Sequence, residues 1–414
     1  MSSFFASRWV DAPGHVAELA PGLLPEGFRA AAAAAGIKPS GGLDVGLLVS
    51  SSPETVSAAR FTRSGVQAAP VVVCRERCRL DGLRAVAVNS GNANAATGRP
   101  GLDAAARIQG AAAIAASTEP DRVAVASTGP IGRQLDGAAV SRALAVAAGE
   151  LSEDGGERLA EAMRTTDAYA KRVSLEVELP DGPVRLCAQA KGAGMMAPAF
   201  ATLLCFVETD AVLEPETADL LLGVTCARSF ERISVDGQLS TNDTVLLFAS
   251  GASAIRVEPE SDAELRFGEA LDALMRQLAL LVVADGEGAK RVGRVVVRGG
   301  HADAVQRTTL AVANSPLVKA ALHGGDPNWG RIAQAIGMAL PGTAPLACDI
   351  EIGGIVVCRD GAAVRHDADA LSRAVAGDEV EFLVELPGAG AAEAECFFSD
   401  LSHEYVTINA EYTT

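Results

Sequence analysis

The chain has 414 residues, 49% of them hydrophobic and only 4% aromatic, with a formal net charge of −17. That charge speaks against nucleic acid and anionic membrane surfaces as partners, and the composition is that of a folded protein rather than a disordered one. The length exceeds what one hydrophobic core usually organises, so two lobes or a large layered α/β body are expected.

No stretch of about 18 apolar residues suggests a membrane span, so no membrane association is expected. The opening MSSFFASRWVDAPGH has no basic region followed by an apolar core, unlike a secretory signal. Its eight cysteines are scattered, and Cys74 and Cys78 have neither the spacing nor the second pair of a zinc knuckle. Reduced thiols, a cytoplasmic location and no bound metal are the expectations.

In chain order, LDVGLLVS, PVVVC and AVAVNSG read as strands, separated by SPETVSAARF and RERCRLDGL as helical or turn segments. The loop closing AVAVNSGNANAATG offers side-chain amides and backbone N–H groups at a strand's carboxyl end. That suits either ligand binding or a turn held by Asx hydrogen bonds. LDAAARIQGAAAIAAS has the period of a packed helix, and RVAVASTGPIG is a buried strand stopping at Ser127-Thr128-Gly129-Pro130. A Thr hydroxyl beside a Gly N–H could serve an oxyanion, or could be an ordinary strand-to-helix turn. Helical patterns follow over 136–165, and RVSLEVELP and GPVRLCAQA form a hairpin across Pro180-Asp181-Gly182.

The next stretch, KGAGMMAPAFATLLCFVETDA over 191–211, leads from Lys191 through a Gly-rich approach into an apolar strand entered at Ala201 and Thr202. If the Ala201–Thr202 bond breaks, Thr202 carries a hydroxyl nucleophile and a free amine on one residue. That amine, with a reference pKa of about 7.7 to 8.0, is partly neutral near neutral pH and can activate its own hydroxyl. A plain buried strand that happens to start with Thr fits the same residues.

Further on, ERISVDGQLSTNDTVLLFASG reads as strand, polar loop and strand. The loop residues Asp236, Ser240, Thr241, Asn242 and Asp243 lack a calcium-loop spacing and suit a hydrogen-bonded brace. A long amphipathic helix over 261–283 ends at DGEGA. A strand GRVVVRGG and a helical stretch broken at Ser315-Pro316 follow, then a helix capped by Asp326 or Asn328. Strands are expected near 346–358 and 379–386, and the terminal YVTINAEYTT reads as one more.

VNSGNANAATG, STGPIG, RTTDA, KGAGMMAPAFATLLCF, ISVDGQLSTNDTVLL, DGEGA, ANSPLVKAALHGGDPNWGRI and YVTINAEYTT, in this order, resemble the ornithine acetyltransferase family, the glutamate N-acetyltransferases of the arginine pathway. The resemblance implies an α/β fold of layered sheets and helices related to N-terminal-nucleophile enzymes, with two lobes around one active site. It implies self-cleavage between Ala201 and Thr202 into an alpha chain, 1–201, and a beta chain, 202–414, that stay together as a dimer of such pairs, a heterotetramer. It further implies acetyl transfer from N-acetylornithine to glutamate through an acetyl-Thr202 intermediate, without a cofactor. Thr128 and Gly129 fall on the oxyanion-hole pair; Thr165 (with Thr166 beside it), Lys191, Thr202, Glu287, Asn409 and Thr414 fall on substrate-binding positions. Lys191 could meet the substrate's α-carboxylate or help stabilise charge at cleavage, and Glu287 could meet the distal ammonium of an ornithine-like donor or be a plain carboxylate at a helix end in a Gly-rich turn. The chain departs from the family pattern at Ala168 and Lys290, where Thr is usual. Two alternatives keep the same nucleophile: an aminopeptidase or amidase using water, and a secondary-pathway relative acylating another amino acid.

Overall fold

The computed structural model describes residues 3–197, 203–388 and 390–411. Its first lobe is built in four layers. A six-stranded sheet has the order Val16–Glu18, Lys171–Leu179, Gly182–Lys191, Leu204–Thr209, Thr244–Ala249, Val56–Phe61. A four-stranded sheet, Phe28–Ala33, Val45–Ser50, Ala85–Ser90, Val123–Thr128, packs against it. The strand Leu204–Thr209 shows how one sequence serves two cores. Its period of two sends Cys205 and Val207 toward the helices Pro215–Arg228 and Asp262–Ala284, and Leu204 and Phe206 between the sheets. The helices Ala69–Arg77, Gly98–Ala115 and Gly137–Ala148 close the far side.

The second lobe is a seven-stranded sheet whose central strands are Glu393–Ser399, Val292–Arg298 and Glu379–Glu385, covered by the helices Ala302–Ala313, Pro316–Gly324 and Trp329–Ala339. Ser315 and Asn328 start the last two helices by accepting the Val318 and Arg331 N–H groups. Two layered lobes were expected, and two are found.

Three segments differ from the sequence reading. PVVVC lies in the helix Ala69–Arg77, because Pro70 occupies the first turn, where a missing N–H costs nothing. SPETVSAARF contains the strand Val56–Phe61, which pairs along its whole length with Thr244–Ala249, so tertiary pairing overrides a helical local pattern. The tail expected as a strand is instead the helix His403–Glu411; Ser402 Oγ accepts the Tyr405 N–H at 3.1 Å and opens its first turn.

The predicted division at 201/202 falls between neighbouring strands of one sheet. Gly182–Lys191 and Leu204–Thr209 pair antiparallel, with Lys191 opposite Leu204. A cut there leaves the two parts joined by a full ladder of backbone hydrogen bonds and a shared core.

Between the sheets lies a buried acid. Glu208 is fully buried, and Gln189 Nε2 donates to its Oε2 at 3.1 Å. Glu208 Oε1 and Gln189 Oε1 have no hydrogen-bond partner among the described residues. Burial pushes the Glu208 carboxyl well above its usual range. The folded protein therefore holds a proton that the unfolded chain gives up, and this contribution to stability, present at low pH, is lost as pH rises from the ordinary carboxylate range. Glu208→Gln, neutral at every pH and equal in size, is expected to match wild type near pH 4 and to gain in melting temperature relative to it as pH rises to 8. Thermal unfolding at several pH values checks this.

Candidate active site

The strand Val123–Thr128 is buried throughout and delivers Thr128 and Gly129 to the rim of a cavity of about 160 Å³. Gly129 turns there with φ +135°, and a Cβ added to it would fall 2.5 Å from the Asn92 backbone nitrogen, so only glycine fits. Asn92 N–H holds the Thr128 carbonyl at 3.0 Å, and Asn242 Nδ2 donates to the Ser127 carbonyl at 2.8 Å. The two expected oxyanion donors are thus fixed from both sides.

Lys191, at the end of Gly182–Lys191, is buried at 3% exposure and donates from Nζ to Thr128 Oγ1 at 3.3 Å. An ammonium can only donate, so the Thr128 oxygen is the acceptor and its own proton is left for another acceptor. Lys191 Nζ also lies 3.7 Å from Asp167 Oδ2. Asp167 accepts from Lys171 Nζ at 2.9 Å, Gly192 N–H at 2.7 Å and Thr165 N–H at 3.1 Å. Lys171 Nζ reaches Asp285 at 2.5 Å. Two lysines and two aspartates thus form a chain with no net charge in an almost fully buried place.

The electrostatics follow from that chain. Burial opposes the charge on Asp167, but Lys191 and Lys171 overcome it and hold the carboxyl well below the usual carboxylate range. Burial pushes the Lys191 ammonium down, Asp167 pulls it back, and Lys171 adds to the depression. Asp285 moves up through burial, against the pull of Lys171.

Glu287 and the terminal helix also line the cavity. Glu287 N–H donates to the Ala193 carbonyl at 2.9 Å, and Asn409 Nδ2 donates to Glu287 Oε2 at 2.7 Å. A Cβ on Gly194 would come within 2.8 Å of the Glu287 carboxyl group, so that glycine makes room for the acid. Asp236 accepts from Met195 N–H at 2.7 Å and Met196 N–H at 2.8 Å, and Tyr405 Oη lies 3.4 Å from it. The cavity is therefore lined by the Lys191 cation, the expected oxyanion donors Thr128 and Gly129, and the carboxylates of Glu287 and Asp236.

A family model for the ArgJ family matches residues 29–414. The chain belongs to the ArgJ family. The arginine biosynthesis bifunctional protein ArgJ of Gluconobacter oxydans is 39% identical over 390 residues, covering 93% of this chain and 92% of that protein. That of Rhodopirellula baltica is 41% identical over 401 residues, covering 95% and 97%. Among solved structures, ArgJ of Bacillus halodurans aligns at 33% identity with a TM-score of 0.47, covering 50% of this chain and 98% of that one. The ornithine acetyltransferase of Mycobacterium tuberculosis, complexed with ornithine, aligns at 36% identity with a TM-score of 0.41, covering 46% and 100%.

Seven of the expected site residues line this one cavity: Thr128, Gly129, Thr165, Thr166, Lys191, Glu287 and Asn409. Ala201, Thr202 and Thr414 lie outside the described residues. The Asn-rich loop after Ala85–Ser90 turns out to be a brace: Asn89 and Asn94 spend their amides on the Asn92 and Gly101 carbonyls. Gly194, Met195, Gln238 and Tyr405 line the cavity without having been expected there, and Asp236, expected only as part of a brace, does both. All five sit inside the quoted family strings or next to residues singled out, but nothing in their spacing marks them as lining.

Proposed function

We propose that the chain is a ping-pong acyltransferase that cuts itself between Ala201 and Thr202 and then moves the acetyl group of N-acetylornithine to glutamate. The Thr202 amine takes the proton of the Thr202 hydroxyl, whose oxygen attacks the acetyl carbonyl. The proton passes to the departing amine of ornithine, leaving an acetyl ester on Thr202. The α-amine of glutamate attacks that ester, and the hydroxyl is restored. Thr128 Oγ–H and Gly129 N–H are the donors for the oxyanion of both steps; losing one such donor typically costs about 10² to 10³ in rate. Lys191 meets the α-carboxylate shared by donor and acceptor, Glu287 takes the distal ammonium of ornithine, and Thr165, Thr166, Asn409 and Thr414 complete the pocket.

The observation that carries this reading is Lys191 Nζ at 3.3 Å from Thr128 Oγ1, with Glu287 lining the same cavity. A lining with the Lys191 cation, oxyanion donors and the carboxylates of Glu287 and Asp236 fits an N-acylated diamino acid better than a peptide. We place the enzyme in the cytoplasm, which its eight free thiols support, as a dimer of cleaved pairs; the shared sheet supports the association of the two parts within each pair.

Purified protein incubated with N-acetylornithine and glutamate is expected to release ornithine and N-acetylglutamate in equal amounts. Without glutamate, an acetyl group should accumulate on the protein at residue 202. Release of free acetate at the same rate with or without glutamate would identify a hydrolase instead, and a different preferred acceptor in a screen of amino acids would identify a secondary-pathway relative.

A further inference from the structure

One loop grips the chain on both sides of the segment expected to cut itself. Upstream, Asp236 accepts the Met195 and Met196 N–H groups at 2.7 and 2.8 Å. The Met196 carbonyl in turn accepts from Val235, Asp236 and Gly237 N–H at 3.2, 3.3 and 2.9 Å. Downstream, Asp243 Oδ1 accepts the Leu203 N–H at 3.1 Å, and the Leu203 carbonyl accepts the Thr244 N–H at 2.9 Å.

The loop is itself held to the oxyanion strand. Asn242 Nδ2 donates to the Ala93 and Ser127 carbonyls at 2.7 and 2.8 Å, and Thr62 Oγ1 donates to the Ser240 carbonyl at 2.6 Å. Residues 196 and 203 are therefore referenced to the strand that ends in Thr128, through a loop that belongs to neither flank.

We propose that Asp236 and Asp243 are positioning residues for self-cleavage, a clamp that fixes both flanks of the Ala201–Thr202 bond relative to the oxyanion donors. The inference rests on Thr202 being the nucleophile. In the step they serve, the Thr202 oxygen bonds to the Ala201 carbonyl carbon, the C–N bond breaks, and the hydroxyl proton goes to the released amine. Water then hydrolyses the ester, giving the Ala201 carboxyl group and restoring the Thr202 hydroxyl. The first stage is intramolecular, so its rate depends on how closely the reacting atoms are held, and a shift of about 1 Å can cost on the order of 10²-fold.

Asp243 has a further property that makes the clamp testable. It is completely buried, and its Oδ2 has no hydrogen-bond partner among the described residues. Burial pushes the carboxyl well above its usual range, against the Leu203 N–H that favours the charge. Asn keeps an acceptor oxygen to face the Leu203 N–H, whereas Ala removes it.

Freshly synthesised precursor is followed on denaturing gels, with Thr202→Ala as the uncut reference and thermal unfolding of each substitution measured in that uncut background. Asp243→Ala and Asp236→Ala are expected to cleave about 10- to 100-fold more slowly than wild type, and Asp243→Asn to stay within about threefold of it. Asp236 is only partly buried, so Asp236→Ala supplies the same reading should Asp243→Ala not fold. Folded alanine variants that cleave at the wild-type rate would overturn the clamp. So would an Asp243→Asn chain as slow as Asp243→Ala, since the carboxyl group would then act by its charge or proton. A wild-type chain that never cleaves overturns the self-cleavage reading first, and the clamp with it.

Discussion

Replacing Thr202 by Ala is expected to leave one uncut chain of 42.3 kDa and to reduce acetyl transfer by roughly four orders of magnitude or more, the scale seen when a covalent nucleophile is removed. In the proposed mechanism two separate functions fail together, because the hydroxyl proposed to attack the Ala201 carbonyl during processing is also the one proposed to attack the acetyl carbonyl. The ladder between Gly182–Lys191 and Leu204–Thr209 forms without residue 202, so folding is expected to survive. Thr202→Ser keeps the hydroxyl and should retain both functions at a lower rate, which separates chemistry from packing. Mass spectrometry of the intact and processed chains, together with the transfer assay, reads both outcomes. Persistent turnover in Thr202→Ala, or an acetyl adduct mapped to another residue, would remove the basis for the proposed function.

Lys171→Met is expected to be the most damaging single change away from the reacting groups. Lys171 is fully buried between Asp167 and Asp285, so its loss leaves two carboxylates with Lys191 as their one remaining cation in the chain of four. Removing one partner of a buried ion pair costs about 3–5 kcal/mol, far more than a surface pair is worth. The damage also reaches the active site. With Lys171 gone, Asp167 has only Lys191 to pair with, which draws that ammonium away from Thr128 Oγ1. Thermal unfolding should show a drop of several degrees, and the protein that remains folded should transfer acetyl groups more slowly. Adding Asp285→Asn restores charge balance in the cluster and should recover part of the lost stability. If the single and double substitutions are equally unstable, the cluster is held by packing rather than by charge.

Much of the site was legible because its residues stand in short, unusual strings whose order along the chain matters more than their spacing. Thr128, Gly129, Lys191 and Glu287 were each open to a plain structural reading when taken alone, and together they line one cavity. Asp167, Lys171 and Asp285 were not singled out, because a buried charge looks like a surface charge in a sequence until its partners are known. The terminal helix was misread for a related reason. Val406, Thr407 and Ile408 favour a strand locally, but among the described residues they pair with no strand, and Ser402 caps a helix instead.

What the sequence determined by itself was the alternation of apolar and polar residues that builds the strands and helices, and the residue types that the proposed chemistry needs, among them the Thr proposed to become a chain terminus. Those properties are local, set by side-chain period, backbone freedom and intrinsic reactivity. Only the tertiary structure decided that Lys191 donates to Thr128, that two lysines and two aspartates neutralise one another out of water, and that one loop holds both flanks of residues 198–202. Those are pairings between segments tens to hundreds of residues apart. They are fixed by which sheets stack and which strands adjoin, and by the cost of leaving a buried charge or N–H group without a partner.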